Sequence, residues 1–525
     1  MPLLTKSLSS TLPAGDAYFD TVRPMPLVDR MIAEGFTGRK GKGGFYAFDK
    51  ATKTKKALDL ATGEYRVSVK PASLPGRAEK DLAALVAAPG KVGAYAWEIL
   101  GKVLSYAASL VGEAADNIVG IDDAMKLGYN WKFGPFELID RLGPGKLAER
   151  LAAEGRDVPA ILKVAGDRPF YRVQDGRRQY LDAAGDYHDV VRPEGVLLLE
   201  DIKLHSQPIL KNGSAALWDV GDGVACLEFT GKMNALDGDV MKLIGQAIPV
   251  VQDKFKALVV YNEGSNFSAG ANLGLALFAL NIAAWGEIEK LVAGGQQAYK
   301  ALKYAPFPVV SAPAGMALGG GCEILLNSDA VQAHAESYVG LVECGVGLIP
   351  GWGGCGEMID RWRSSPGMPK GPMPAVAKVF ETVSTATVAK SAAEAKEHGF
   401  LRPSDGITMN RDRLLADAKA KALELADGYK PPVAPEFRLP GAGGKSALSM
   451  AVEGFQARGL ATSYDGVVSG ALADVLTGGE KDLIDIVTEE DLLALERKAF
   501  MQLVRDPRTQ ARVEQMLVTG KPLRN

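Results

Sequence analysis

Leu318-Gly319-Gly320-Gly321-Cys322-Glu323, read together with Phe267-Ser268-Ala269-Gly270-Ala271-Asn272 upstream of it, decides how this chain folds around a site. Both stretches place glycine where a backbone must turn tightly or approach another atom closely, because glycine lacks the Cβ that forbids such approaches. Gly319 to Gly321 runs straight into Cys322 to Leu326, an apolar and helix-compatible run, so the loop amides gain the positive end of a helix dipole. Glu323 follows Gly320 within one helical turn, about 5 Å along the axis. A backbone donor and a carboxylate are thereby neighbours by construction.

A second carboxylate, Glu343, lies in Val342-Glu343-Cys344-Gly345-Val346-Gly347-Leu348-Ile349-Pro350-Gly351. Two fixed amides aimed at one point stabilise a developing oxyanion by roughly 3 kcal/mol each. Two carboxyl groups that hold one water between them can take a proton from it and deliver one elsewhere. Adding water to a thioester-conjugated double bond needs both devices, since negative charge moves onto the thioester oxygen as water attacks the β-carbon. Taken singly, Glu323 would pass for a first-turn glutamate favoured by the dipole and Glu343 for a solvated loop charge. The motifs around them decide otherwise.

Outward from this site, residues 204–427 alternate short β-rich runs, such as Val224-Ala225-Cys226-Leu227-Glu228-Phe229 and Ala257-Leu258-Val259-Val260-Tyr261, with helical stretches, which indicates an α/β domain. Upstream, Trp97, Leu100, Leu104, Ala107 and Val111 recur at helical spacing, and Pro135 suits the first turn of a further helix. Residues 428–445 have the proline and glycine content of a linker. Beyond it, residues 446–525 form a helical region: Leu492, Leu495, Ala499, Phe500 and Leu503 mark one helix face, and Asp506-Pro507 offers the cap and first-turn proline of another.

Composition narrows the function classes. A chain of 525 residues exceeds what one core usually fills, and predicts about three or four domains. Its net charge of −3, from 60 basic and 63 acidic side chains, supplies no field that would draw nucleic acid or an anionic membrane. Four cysteines and four histidines show neither a disulfide framework nor a metal-ligand spacing, which predicts a reduced protein with no metal. The start of the chain lacks a secretory core, and the most apolar stretch, Leu273 to Trp285, is too short to span a bilayer. The expected location is cytoplasmic, or an organelle matrix in a eukaryote.

Several ordered motifs resemble the crotonase, or enoyl-CoA hydratase/isomerase, superfamily from about Trp218 to Leu401. They are Lys232-Met233-Asn234-Ala235-Leu236, the Ser268-Ala269-Gly270-Ala271 loop, Pro308-Val309-Val310-Ser311-Ala312-Pro313-Ala314-Gly315 ahead of the triple glycine, and Gly347-Leu348-Ile349-Pro350-Gly351-Trp352-Gly353-Gly354. The resemblance implies that Ala271 and Gly320 donate the oxyanion-hole hydrogen bonds and that Glu323 and Glu343 are the paired hydratase acids. Ala269, Leu273, Leu277, Phe278 and Gly319 would line the acyl and CoA pocket. Asn272 stands where many members carry aspartate, and Val342 where proline is common.

The N-terminal half carries a second likeness. Gly38-Arg39-Lys40 through Gly44-Phe45-Tyr46, Gly120-Ile121-Asp122-Asp123-Ala124 and Gly134-Pro135-Phe136-Glu137-Leu138-Ile139-Asp140 resemble the C-terminal helical part of 3-hydroxyacyl-CoA dehydrogenases. Together the two resemblances imply an α/β crotonase-like (ClpP/crotonase ββα spiral) domain at 204–427. They add an all-α 3-hydroxyacyl-CoA dehydrogenase C-terminal-like part, with a first-unit remnant at 1–75 and a second unit at 76–200, and no Rossmann domain. The combination is similar to multifunctional fatty-acid β-oxidation proteins.

The expected activity is an enoyl-CoA hydratase that converts trans-2-enoyl-CoA to 3-hydroxyacyl-CoA, needs no cofactor beyond the CoA thioester substrate, and lacks the dehydrogenase catalytic half and its activity. Isomerase chemistry at the same oxyanion hole, or a scaffolding subunit for a separate dehydrogenase or thiolase, are the alternatives, and a homo-oligomer is left open. Two glycine motifs are set aside. Gly351-Trp352-Gly353-Gly354-Cys355-Gly356 follows a proline where a dinucleotide fold has a strand, and Gly441-Ala442-Gly443-Gly444-Lys445-Ser446 has Leu439 where a phosphate loop has its first glycine. The Arg39-Lys40-Gly41-Lys42 run reads as a solvated turn.

Overall fold

Strands Val224–Phe229 and Ala257–Tyr261 are buried at every position, which explains why they read as near-continuous apolar runs. Alternate side chains serve opposite faces. Ala225, Leu227, Leu258 and Val260 enter one core, while Val224, Cys226, Ala257 and Val259 enter another against Leu414, Leu415, Ala418 and Ala422 of helix Leu414–Ala426. The computed structural model that gives these placements describes residues 2–69 and 81–525, and the expected boundary at 75/76 lies outside the described residues. The chain divides into two units, residues 1–190 and 191–525.

In residues 191–525 these strands belong to a seven-stranded mixed sheet. Its order runs Gly406–Thr408, Ala330–His334, Val309–Ala312, Ala257–Tyr261, Val224–Phe229, Ala215–Asp219, Leu210–Lys211. The first five pair in parallel and the last two add antiparallel. Helices Gly238–Lys254 and Trp285–Lys303 make the crossovers that parallel pairing requires. A second, two-stranded parallel sheet joins Gly315–Leu318 to Ser337–Gly340, and the triple glycine leaves its first strand directly into helix Gly320–Leu326.

Residues 446–525 bury Tyr464, Leu472, Leu492 and Val513 in the same core as Leu227, Val260 and Ile324. Within the stretch 428–445, Glu436–Phe437 pairs with Val487–Thr488, and helix Gly441–Ala457 has already begun. Asp506 caps helix Pro507–Thr519 through the Arg508 amide, with Pro507 in the first turn.

Residues 1–190 pack helices Lys91–Ser109, Ile118–Tyr129, Pro135–Leu142, Pro144–Ala153 and Ala160–Ala165 around Leu104, Ile118, Phe136, Ile139, Leu151 and Leu162. The expectation of an all-α part is corrected here. Two antiparallel three-stranded sheets are present, Tyr46–Asp49 with Thr54–Leu58 and Tyr65–Val67, and Tyr171–Gln174 with Arg177–Leu181 and Tyr187–Asp189. The second turns on Asp175-Gly176, both at positive φ (51° and 72°), the two-residue turn whose twist matches a hairpin. Such short, partly exposed strands leave little hydrophobic periodicity to read. Among the described residues no helix is long and apolar enough to cross a membrane.

Candidate active site

Backbone pairing brings the two glycine loops together. On one side the Leu236 amide donates to the Gly270 carbonyl (2.9 Å) and the Asn272 amide to the Leu236 carbonyl (2.9 Å). On the other, the Ser268 amide donates to Met316 (2.8 Å) and the Leu318 amide to Ser268 (3.0 Å). The Ala269–Ala271 segment is thus clamped beside strand Gly315–Leu318 in a fixed register. Gly270, at φ +90°, sits so close that a Cβ there would fall 2.8 Å from the Leu318 carbonyl oxygen and 3.5 Å from the Gly320 nitrogen. Among the described residues neither the Ala271 nor the Gly320 amide has a backbone acceptor, so both are available to a ligand.

Gly320 is held from behind. Its carbonyl accepts from the buried Tyr299 hydroxyl (2.8 Å), and Tyr299 meets Trp352 edge to face at 5.4 Å between ring centroids. A Cβ on Gly320 would come within 2.3 Å of the Trp352 ring, which is why glycine stands there.

Glu323, 1% exposed, projects from the first turn of helix Gly320–Leu326. Its Oε1 accepts from both the Trp352 amide (2.8 Å) and the Gly354 amide (2.9 Å). Among the described residues no hydrogen-bond partner engages Oε2. Burial pushes the carboxyl upward to about 7, outweighing the two amides that favour its charged form. Glu343 opens the short turn Glu343–Val346; its Oε2 is shut off from solvent with no hydrogen-bond partner among the described residues. Burial, and then the charge of Glu323, holds this carboxyl well above the usual range. A Cβ on Gly319, whose φ is +54°, would lie 2.9 Å from Glu343 Oε1, so the second acid rests against the same glycine loop that carries the first.

Of the expected pocket residues, Ala269 and Gly319 flank the two amides; Leu273 and Leu277 pack against the core, and Phe278 stays 64% exposed. Asn272, where aspartate is common, caps helix Leu273–Asn281 through the Leu275 amide (3.2 Å). Four further residues also shape the site, of which only Trp352 lies within a quoted motif. Tyr299 and Trp352 back the oxyanion loop, Thr509 donates to the Gly347 carbonyl (2.8 Å), and Glu496 accepts from the Gly353 and Cys355 amides. A carboxylate in an otherwise apolar helix stripe was the signal for Glu496. Among the described residues no group of three or more His, Cys, Asp or Glu is arranged to hold a metal.

Residues 219–362 match the family model described as Enoyl-CoA hydratase/isomerase. Over 507 residues the chain is 39% identical to a Bacillus subtilis (strain 168) protein named "Probable 3-hydroxyacyl-CoA dehydrogenase", covering 94% of this chain and 63% of that protein. Over 518 residues it is 32% identical to a Rickettsia felis protein provisionally named a fatty acid oxidation complex trifunctional enzyme, covering 97% of this chain and 64% of that one. The chain therefore spans less than two thirds of the length of these relatives. These findings correct the expectation of a protein without a Rossmann domain. Relatives matched along nearly the whole chain carry dehydrogenase and trifunctional names and extend beyond the matched stretch, so exclusion of a nucleotide-binding half does not stand. The expected absence of a dehydrogenase half falls with it. The chain carries a crotonase-type enoyl-CoA hydratase/isomerase domain and is related to fatty-acid oxidation enzymes.

Proposed function

We propose that this domain is a hydratase that adds water to trans-2-enoyl-CoA, giving 3-hydroxyacyl-CoA, as a step of fatty-acid β-oxidation. The observation that carries the reading is the pair Glu323 and Glu343, both raised by burial and both set against a glycine loop with two unengaged amides. Carboxyls displaced upward in this way can share the protonated and ionised roles near neutral pH, one acting as acid while the other acts as base.

In this scheme the Ala271 and Gly320 amides bind the thioester oxygen and stabilise the enolate charge that develops on it. One carboxylate takes a proton from water as its oxygen bonds to the β-carbon, and a proton passes from the carboxyl pair to the α-carbon. Atoms and charge balance with water and the CoA thioester alone, so the step calls for no redox cofactor or metal. Glu323 Oε1 is pinned by two amides, which leaves Oε2 as the oxygen that would meet the reactants.

The test is loss of the conjugated thioester absorbance on adding crotonyl-CoA, with product analysis and a parallel 3-enoyl-CoA arm. Formation of 3-hydroxybutyryl-CoA supports the reading. Turnover confined to moving the 3-enoyl double bond would replace hydration by isomerisation, and inertness toward both would sink it.

A further inference from the structure

Helix Glu489–Leu503 turns Leu492, Leu493, Ala499 and Leu503 inward, and in the midst of that apolar face lies Glu496, with no exposed surface. A carboxylate in such a place is costly unless its oxygens are satisfied. They are: Oε2 accepts from the Gly353 amide (2.8 Å) and Oε1 from the Cys355 amide (2.9 Å). These donors alternate along the chain with Trp352 and Gly354, whose amides grip Glu323 Oε1. Four successive N–H groups are therefore divided between two carboxyls, one from the glycine-loop helix and one from the C-terminal region.

The helix is itself fastened to this loop. The Gln296 side-chain amide donates to the Gly351 carbonyl (3.0 Å) and the Leu493 carbonyl (2.8 Å), and Arg497 donates to Gln296 Oε1 (3.0 Å). Lys303 joins Glu357, just past the loop, to Glu489 at the start of the helix. Gly353 takes φ +102°, a conformation open to glycine and strained for other residues.

We infer that Glu496 is a positioning residue: by holding the Gly353 and Cys355 amides it fixes the loop so that Trp352 and Gly354 present theirs to Glu323 Oε1, leaving Oε2 to the reactants. This rests on the hydratase reading. The titratable groups that act on Glu496 are Glu323, Glu343 and the Cys355 thiol, and Lys300, Glu357 and Glu489 line the same cleft. Burial first, and then Glu323, pushes the Glu496 carboxyl up to about 8, and Glu496 in turn raises Glu343, so the three carboxyls are electrically linked.

The full chain is compared with Glu496→Gln and Glu496→Asp by crotonyl-CoA kinetics across pH and by amide hydrogen exchange over residues 348–358. In Glu496→Gln one amide loses its acceptor and faces an NH2 instead, so kcat is expected to fall about tenfold to a hundredfold. KM should stay within about threefold, since binding groups are untouched. The alkaline limb of the profile should move to lower pH, because Glu496, charged only above about 8, no longer holds the Glu343 carboxyl up. Glu496→Asp, which keeps the carboxyl, should restore the limb and part of kcat. Exchange at residues 352–355 should rise by about tenfold or more in Glu496→Gln. A lower melting temperature with an unshifted pH limb and unchanged kcat per folded molecule would overturn the inference. If Glu496→Gln does not fold, Glu496→Asp decides it: wild-type kcat and wild-type exchange would overturn it. If the wild-type chain does not hydrate crotonyl-CoA, the hydratase reading fails on its own. Exchange at 352–355 then judges Glu496, and no acceleration refutes it.

Discussion

Asp122 in the N-terminal unit and Glu323 beside the glycine loop are both buried carboxyls that accept two backbone amides at the head of a helix. Asp122 uses one oxygen for each donor, Oδ1 for Phe136 (2.7 Å) and Oδ2 for Glu137 (3.2 Å). Asp140 does the same with Phe170 and Tyr171, and Glu496 with Gly353 and Cys355. Glu323 takes both of its donors on Oε1, and Glu343 leaves Oε2 without a partner among the described residues. Burial raises all of them, so the shift alone does not separate a cap from a reacting group. Under the proposed hydration, the count of oxygens left over does.

Glu323→Gln and Glu343→Gln test that distinction where it matters most. Each should lower crotonyl-CoA hydration by about a thousandfold, in the range expected when a positioned acid or base is removed, while the circular dichroism spectrum is kept. Asp122→Asn should leave kcat and KM as they are. Comparable kinetic losses in all three variants would erase the contrast. Gly319→Ala comes next: its Cβ meets Glu343 Oε1 at 2.9 Å and its φ of +54° disfavours a side chain. A displaced second acid should cost about tenfold to a hundredfold in kcat, measured in the same assay. Near-normal turnover would mean that Glu343 need not rest on the loop.

At Asp122 the effect belongs to stability. Asp122→Ala removes the acceptor of two amides and should destabilise residues 1–190 by about 1–3 kcal/mol in denaturant unfolding. The carboxyl is raised from 3.8 to about 7, chiefly by burial. Between those values the folded state keeps a proton that the unfolded chain has released. The resulting stability is complete below the lower value and is lost as pH rises through about 7. A melting temperature that falls with pH in this window, and a flatter slope in Asp122→Asn, is the expected pattern; stability rising with pH would reverse the assignment.

Much of the α/β region was legible because its signals are local. Glycines at Gly270, Gly319 and Gly320 are demanded by close approaches of the backbone, and a first-turn proline or a capping aspartate marks a helix start locally, as at Pro135 and Asp506. Of the two small sheets of residues 1–190 only a strand following the Gly38 to Gly44 turn was legible, since strands such as Tyr65–Val67 and Tyr187–Asp189 are too short and too exposed to alternate clearly. The role of Glu496, as distinct from its oddity in an apolar stripe, was illegible for another reason. Its partners lie 143 and 141 residues away, and nothing in the local text of the helix says which loop it will meet. The same distance hid the fact that the C-terminal helices share the core of the α/β region.

Phe278 marks the lower end of the scale. It was expected to line the acyl pocket with Leu273 and Leu277, yet it is 64% exposed while those two pack against the core. Helix Leu273–Asn281 follows directly from the Ala271 amide and is apolar nearly all round, with Leu275 also 54% exposed, so one side of it faces away from the core. An exposed side chain contributes little to folding, and Phe278→Ala should shift stability by less than about 0.5 kcal/mol. If an acyl chain runs along this face, each methylene it buries there is worth about 0.8 kcal/mol. The variant should then raise KM for a long-chain enoyl-CoA several-fold and leave crotonyl-CoA unaffected, because a four-carbon chain ends before reaching it. Equal KM for both substrates in variant and wild type would remove Phe278 from the pocket, whereas a loss with crotonyl-CoA would place its effect on the Ala271 amide through the helix it belongs to.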